Sequence, residues 1–140
     1  AYSDKRLTLW YVDVDKKVPV KVDTDTYAGP YQAFDPSWSP DSRWIAYTKQ
    51  LRNYLHAVFV YSVEQRKSYQ VTDGMSDALY PVFDKEGKYL YLPASTDTAL
   101  RTGWLDMSSL NRPVTRSVYI LVLGKDVPSP LAPEGFTGRG

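Results

Sequence analysis

The sequence predicts an all-β chain folded as a partial β-propeller of about two to three four-stranded antiparallel blades. Three observations carry this. A strand–turn–strand unit, Pro36 to Lys49, recurs 45 positions further on. The segments between turns are rich in aromatic and β-branched residues, as strands are. No segment places apolar residues at i, i+3, i+4 and i+7 over three turns, so helical repeats of similar period are disfavoured. A period of this length with four strands per unit marks a propeller blade.

The elements follow in order. Leu7 to Val14 is a strand by residue type, Asp15-Lys16-Lys17 a polar turn, and Val18 to Val22 a second strand that Pro19 assigns to an edge. Asp23 to Tyr31 is a loop. Next comes the hairpin from Phe34 to Tyr47, with Pro36 opening its first strand and Pro40-Asp41-Ser42 at its turn. In such a turn Pro presets φ while Asp and Ser bond back to the local backbone. His56 to Val63 is a third strand and Lys67 to Val71 a polar fourth.

Leu79 to Leu92 then repeats the hairpin. Pro36, Trp38, Trp44 and Ile45 map onto Pro81, Phe83, Tyr89 and Leu90, each 45 positions later. Trp10–Val14 pairs with Phe59–Val63 at a shift of 49, and Val118–Leu123 repeats the strand that starts at Val58 at a shift of 60. The expected organisation is a partial propeller over 1–127 and a Pro/Gly-rich tail over 128–140. Within it lie an incomplete blade (7–23), a full blade (34–72) and an incomplete blade (79–123) with an insertion at 96–116. The three blades would hold two, four and three strands.

Composition bounds the function. The 140 residues suit one domain with a sizeable core, and 43% hydrophobic with 24% charged residues is ordinary for a globular protein. With 17 basic and 16 acidic residues the net charge is +1, which gives no global argument for nucleic acid or an anionic membrane. The longest apolar run, Val118 to Leu123, is far short of the ~20 residues of a membrane helix. No signal peptide is visible at Ala1-Tyr2-Ser3. The absence of cysteine excludes disulfides and thiolate metal sites and fits cytosol or periplasm alike.

Trp38-Ser39-Pro40-Asp41-Ser42-Arg43-Trp44-Ile45-Ala46-Tyr47 resembles the core of the WD40-like PD40 repeats of TolB-like and tricorn-type propellers. Ser42 stands where those repeats usually carry Gly, and Phe83-Asp84-Lys85-Glu86-Gly87 departs further. Thr102 to Val114 and Lys125 to Glu134 look specifically like bacterial tricorn-protease homologues of the S41 peptidase type. The resemblance spans roughly Leu7 to Glu134. It implies a propeller that guides or filters substrates and supports assembly, with serine-peptidase residues in separate domains that contribute none to this chain.

The chemistry-bearing residues agree with a non-catalytic reading. His56 is the only histidine, and no G-x-S-x-G turn accompanies it, so a structural or surface role is expected. Asp13, Asp15, Asp23 and Asp25 lack the spacing of a calcium loop and read as turn solvation. No metal or cofactor is expected. Trp10, Trp38, Trp44, Phe59, Phe83 and Tyr89 recur at matching positions, which points to packing between blades. Arg43, Arg52, Arg66, Lys67, Lys16 and Lys17 are scattered, against nucleic-acid binding.

In an up-and-down blade the tight turns share one face and the longer connections the other, so recognition is expected on the long-loop face, at 23–31, 50–55, 72–77 and 96–116. Trp104, Leu105, Met107 and Arg112, in the insertion, are the candidate protein-contact residues. The expected function is that of a scaffold or substrate-handling module of a tricorn-protease-like protein; the alternative is an independent TolB-like protein-binding module with no link to proteolysis. Partners are proteins or peptides, and open blade faces favour self-association.

Overall fold

The computed structural model of the chain describes residues 1–25, 34–97 and 115–132. These residues form three antiparallel sheets stacked in chain order. The first holds β1 (Tyr2–Ser3), β2 (Thr8–Val12) and β3 (Pro19–Thr24). The second is a meander of β4 (Ser37–Trp38), β5 (Trp44–Gln50), β6 (His56–Ser62) and β7 (Lys67–Gln70). In the third, β10 (Tyr89–Ser95) pairs with β11 (Ser117–Val122) on one side and with the two short strands β8 (Asp77–Ala78) and β9 (Val82–Phe83) on the other. The fold is that of a partial all-β propeller.

Registers reproduce the sequence repeat. Trp44 faces Ser62, Ala46 faces Val60 and Tyr47 faces Phe59; in the third sheet Tyr89 faces Val122, Tyr91 faces Ile120 and Leu92 faces Tyr119. Every pair moves by the same 45 and 60 positions, so equivalent side chains point the same way. The strand counts differ from expectation, being three, four and four among the described residues. The additions, β1 and β8, are two residues long and carry too little pattern to read. Pro19 begins β3, which is an edge strand as its proline requires.

The innermost strand of the second and third sheets is bent at one recurring place. Asp35 and Tyr80 both take the left-handed conformation, at φ 43° and 49°, immediately before Pro36 and Pro81. Each costs on the order of 1 kcal/mol for a non-glycine residue. Before the bend the chain still reaches its neighbour: Phe34 accepts from the Thr48 amide at 2.8 Å, and Leu79 donates to Pro93 at 3.1 Å. Pro93 sits inside β10, opposite the break between β8 and β9, where its missing N–H interrupts the ladder least.

Alternation along the strands divides the core into two layers. Ile45, Tyr47 and Tyr61 face the first sheet and pack with Leu9, Tyr11 and Val22. Ala46 and Val58, with half-buried Val60, face the third sheet and pack with Leu90, Leu92 and Ala94. The recurrent aromatics follow this in part. Phe59 joins the first layer and Phe83 the second, and Trp38 meets Tyr11 edge-on at 5.8 Å between centroids. Trp10 lies on the outer side of the first sheet, its indole N–H donating to Asp4 at 2.9 Å.

The first sheet is in phase with the last three strands of the second. In the loop before β2, Leu7 donates to the Asp4 carbonyl with φ 58°; before β6, Tyr54 donates to that of Leu51 with φ 65°. These loops correspond at a shift of 47, and in the turns after the strands Lys17 and Arg66 are both left-handed, at φ 53° and 52°, at the shift of 49 that the sequence pairing expects, so β2 takes the place of β6.

Two stability outcomes follow. Leu90 is fully buried in the second layer, and Leu90→Ala should cost about 2–5 kcal/mol in denaturant unfolding. Ser42 holds a left-handed φ of 60° where the third sheet has Gly87 at 70°. Ser42→Gly should therefore raise the unfolding midpoint, by about 0.5–1 kcal/mol of stability.

Candidate functional site

Two hairpin turns, one in the second sheet and one in the third, wall a cleft of about 610 Å³. In the first turn Ser39 N–H donates to Trp44 O and Ser42 N–H to Ser39 O, both at 2.9 Å. Ser39 Oγ accepts the Trp44 amide at 2.9 Å and donates to Asp41 Oδ1 at 2.5 Å, and Asp41 Oδ1 also takes the Arg43 amide at 3.0 Å. In the second turn Asp84 does this work alone, accepting the Tyr89 amide on Oδ1 at 2.8 Å and the Glu86 amide on Oδ2 at 3.1 Å. These bonds hold both carboxyls below the ordinary range, Asp41 mainly through the Ser39 hydroxyl and Asp84 mainly through the Tyr89 amide. Such turns are rigid, so the cleft walls are preformed.

Pro40 and Gly87 bring the turns together; a Cβ on Gly87 would lie 3.4 Å from the Pro40 ring. Trp44, Val60, Phe83 and Leu123 give the cleft an apolar lining, with Asp41 and Glu86 as its charged members. Glu86 pairs with Lys88, and at the neighbouring turn Arg43 pairs with Glu64 at 2.7 Å. The Ser39 hydroxyl is committed to the turn. This chemistry suits an apolar side chain presented by an extended segment. Trp44, which its repeat assigned to packing, is half-buried and lines this cleft.

The cleft lies on the tight-turn face, opposite the face where the long connections pointed. Turn chemistry was legible in Ser39-Pro40-Asp41-Ser42 and Asp84-Lys85-Glu86-Gly87, but their approach across sheets was not. Trp104, Leu105, Met107 and Arg112 lie outside the described residues.

The long-loop face carries, among the described residues, a polar junction. His56, Asp77 and Arg116 come from positions far apart in sequence. The His56 backbone N–H and ring Nδ1 both reach Asp77 Oδ1, at 3.0 and 2.7 Å. Arg116 donates to Asp77 Oδ2 at 2.7 Å and to the Asp77 carbonyl at 3.0 Å. Burial pushes the Asp77 carboxyl up, but the His56 and Arg116 hydrogen bonds outweigh it and hold it down at about 2. His56 thus bridges the second sheet to the third, the structural role its lone position suggested.

A second junction ties the first sheet to the second. The Tyr47 hydroxyl lies 2.6 Å from Asp23 Oδ2 and 2.8 Å from Ser68 Oγ. With one proton to give, it donates to the carboxylate and accepts from Ser68. Lys49 adds an ion pair to Asp23 Oδ1 at 2.9 Å. Burial, and then the bond to Asp23, push the Tyr47 hydroxyl up, so it stays protonated. Of the acidic group in the sequence, Asp13 caps its turn through the Asp15 and Lys16 amides, whereas Asp23 belongs to this junction.

The pH dependence follows from Asp77. Its carboxyl titrates lower in the folded chain than the ordinary 3.8, so the stabilisation is complete above about 4 and is lost as pH falls toward 2. The urea midpoint should drop across that window. In Asp77→Asn, which is less stable at neutral pH, the drop should be shallower.

No family model and no curated protein matches the sequence. Solved structures do. The tricorn protease superposes with a TM-score of 0.67 at 23% identity, over 89% of this chain and 12% of that one. TolB from Acinetobacter baumannii superposes with a TM-score of 0.57 at 15% identity, over 89% of this chain and 26% of that one. The chain spans about an eighth of the first protein and a quarter of the second. Three sheets stacked through alternating apolar faces, in the arrangement these two proteins share, make this chain a β-propeller segment of the tricorn- and TolB-like fold.

Proposed function

We propose that the chain is a non-catalytic propeller module that handles protein or peptide segments as part of a tricorn-protease-like protein. The observation that supports this reading is the cleft between the two turns. It has an apolar floor, walls fixed by local hydrogen bonds and a lining in which the one hydroxyl is spent on turn geometry. Such a site holds a side chain without acting on it. The two junctions on Asp23 and Asp77 keep the sheets from sliding, which a scaffold needs and a moving lid does not. The fold shared with the tricorn protease supports the same reading.

An independent TolB-like binding module uses the same surface, and the fold shared with TolB supports it equally. The two readings differ in ligand. A substrate-handling module takes many extended peptides weakly, whereas a dedicated binding module takes one folded partner.

A library of extended peptides titrated onto the intact chain should give binding that favours a bulky apolar side chain. Leu123→Lys, at the cleft wall, should weaken it by about tenfold, ~1.4 kcal/mol. Equal affinity in the variant, or no peptide binding, overturns the cleft assignment. Fragments released from an unstructured protein by the pure chain overturn the non-catalytic reading.

A further inference from the structure

The cleft between the two turns has a rim whose chemistry differs from its floor. Trp44, Val60 and Phe83 are half-buried and form the floor, whereas Asp41 and Glu86 are exposed. One carboxylate stands on each wall, Asp41 on the turn between β4 and β5 and Glu86 on the turn between β9 and β10. No lysine or arginine lines the cleft among the described residues. The neighbouring cations are engaged, Arg43 with Glu64 at 2.7 Å and Lys88 with Glu86. The cleft lies between the second and third sheets, away from both ends of the stack.

The two carboxylates are not equivalent. Glu86 shares its charge with Lys88. Asp41 has no such partner, because the guanidinium beside it is turned to Glu64. The Ser39 hydroxyl and the Arg43 amide both donate to Asp41 Oδ1, and Oδ2 takes no hydrogen bond among the described residues. The same two bonds, that of Ser39 above all, hold the Asp41 carboxyl below its ordinary range, so it is ionised near neutral pH. The turn therefore presents a fixed negative charge, with one oxygen uncommitted, at the mouth of an apolar cleft.

An apolar side chain entering alone would strip water from that charge and return nothing. In an extended segment, residues two apart lie on the same side, roughly 6–7 Å from one another. An arginine at that distance from the anchor answers the charge. Its planar fork matches a carboxylate, and its methylene stem can lie along the indole of Trp44 while the head stays in water. We propose that the segment this cleft takes is basic, with an apolar anchor on the floor and an arginine two residues away bound to Asp41 at the rim. This specificity rests on the cleft being the peptide site and adds to it the charge of the ligand.

The probes are two acetylated, amidated peptides, Arg-Gly-Phe-Gly-Arg and the same sequence with citrulline at both arginines. Citrulline keeps the shape and removes the charge, and a cation on each side of the anchor serves either chain direction. By calorimetric titration at low ionic strength the arginine peptide should bind the unaltered chain about fivefold tighter, the size of a well-placed exposed ion pair. The advantage should shrink as salt is raised. In Asp41→Asn, whose amide oxygen can still accept both turn bonds, most of the advantage should disappear. Circular dichroism checks that variant's fold, and the comparison on the unaltered chain does not depend on it. Equal binding of the two peptides, a preference for citrulline, or an advantage that a folded Asp41→Asn retains overturns the proposal and leaves the cleft reading standing. Binding of neither peptide overturns both.

Discussion

Everything in this molecule depends on the period of two along a β-strand. The two central strands of the second sheet, β5 and β6, must bury both of their faces, one against the sheet before and one against the sheet after. Tyr47 and Ala46 are adjacent in sequence yet belong to different core layers, and Phe59 and Val60 divide in the same way. A slip of one residue in any register would exchange the two layers. The polar junctions at Asp23 and Asp77 fix that register from the side, because each carboxylate accepts donors from a neighbouring sheet in only one alignment. Their wide spacing in sequence makes them cross-braces between sheets that local hydrogen bonds could never join.

The division of labour between the two ends of the sheets comes from the same geometry. Tight turns at one end satisfy themselves with serine and aspartate side chains and leave an apolar gap between them. At the other end, among the described residues, the connections bring distant residues together at the Asp77 junction. The rigid end therefore holds a preformed cleft, and among the described residues the loop-rich end carries the Asp77 junction. The reason for that junction is physical: a buried carboxylate needs partners, and residues from separate connections supply them.

The fold was legible because the repeat is written in residue types that the register must respect. Pro36 and Pro81, Trp38 and Phe83, and Ile45 and Leu90 do fall at equivalent positions, and the shift of 60 between β6 and β11 was readable from apolar residues alone. The missed elements, Tyr2–Ser3 and Asp77–Ala78, are too short to carry alternation. The left-handed Asp35 and Tyr80 gave no signal, since neither is glycine; only the proline after each marked the spot. The cleft was illegible for a different reason. Its walls are two ordinary turns, and it exists only because Pro40 and Gly87 approach one another between sheets that sequence shows separately.

The broken inner strand has a consequence for how the molecule meets other chains. β4, β8 and β9 are two residues each, separated from further pairing by a left-handed residue and a proline. An inner rim made of such short pieces offers a foreign strand no run of aligned donors and acceptors. The edge that these short strands form is thus closed to templated β-sheet growth.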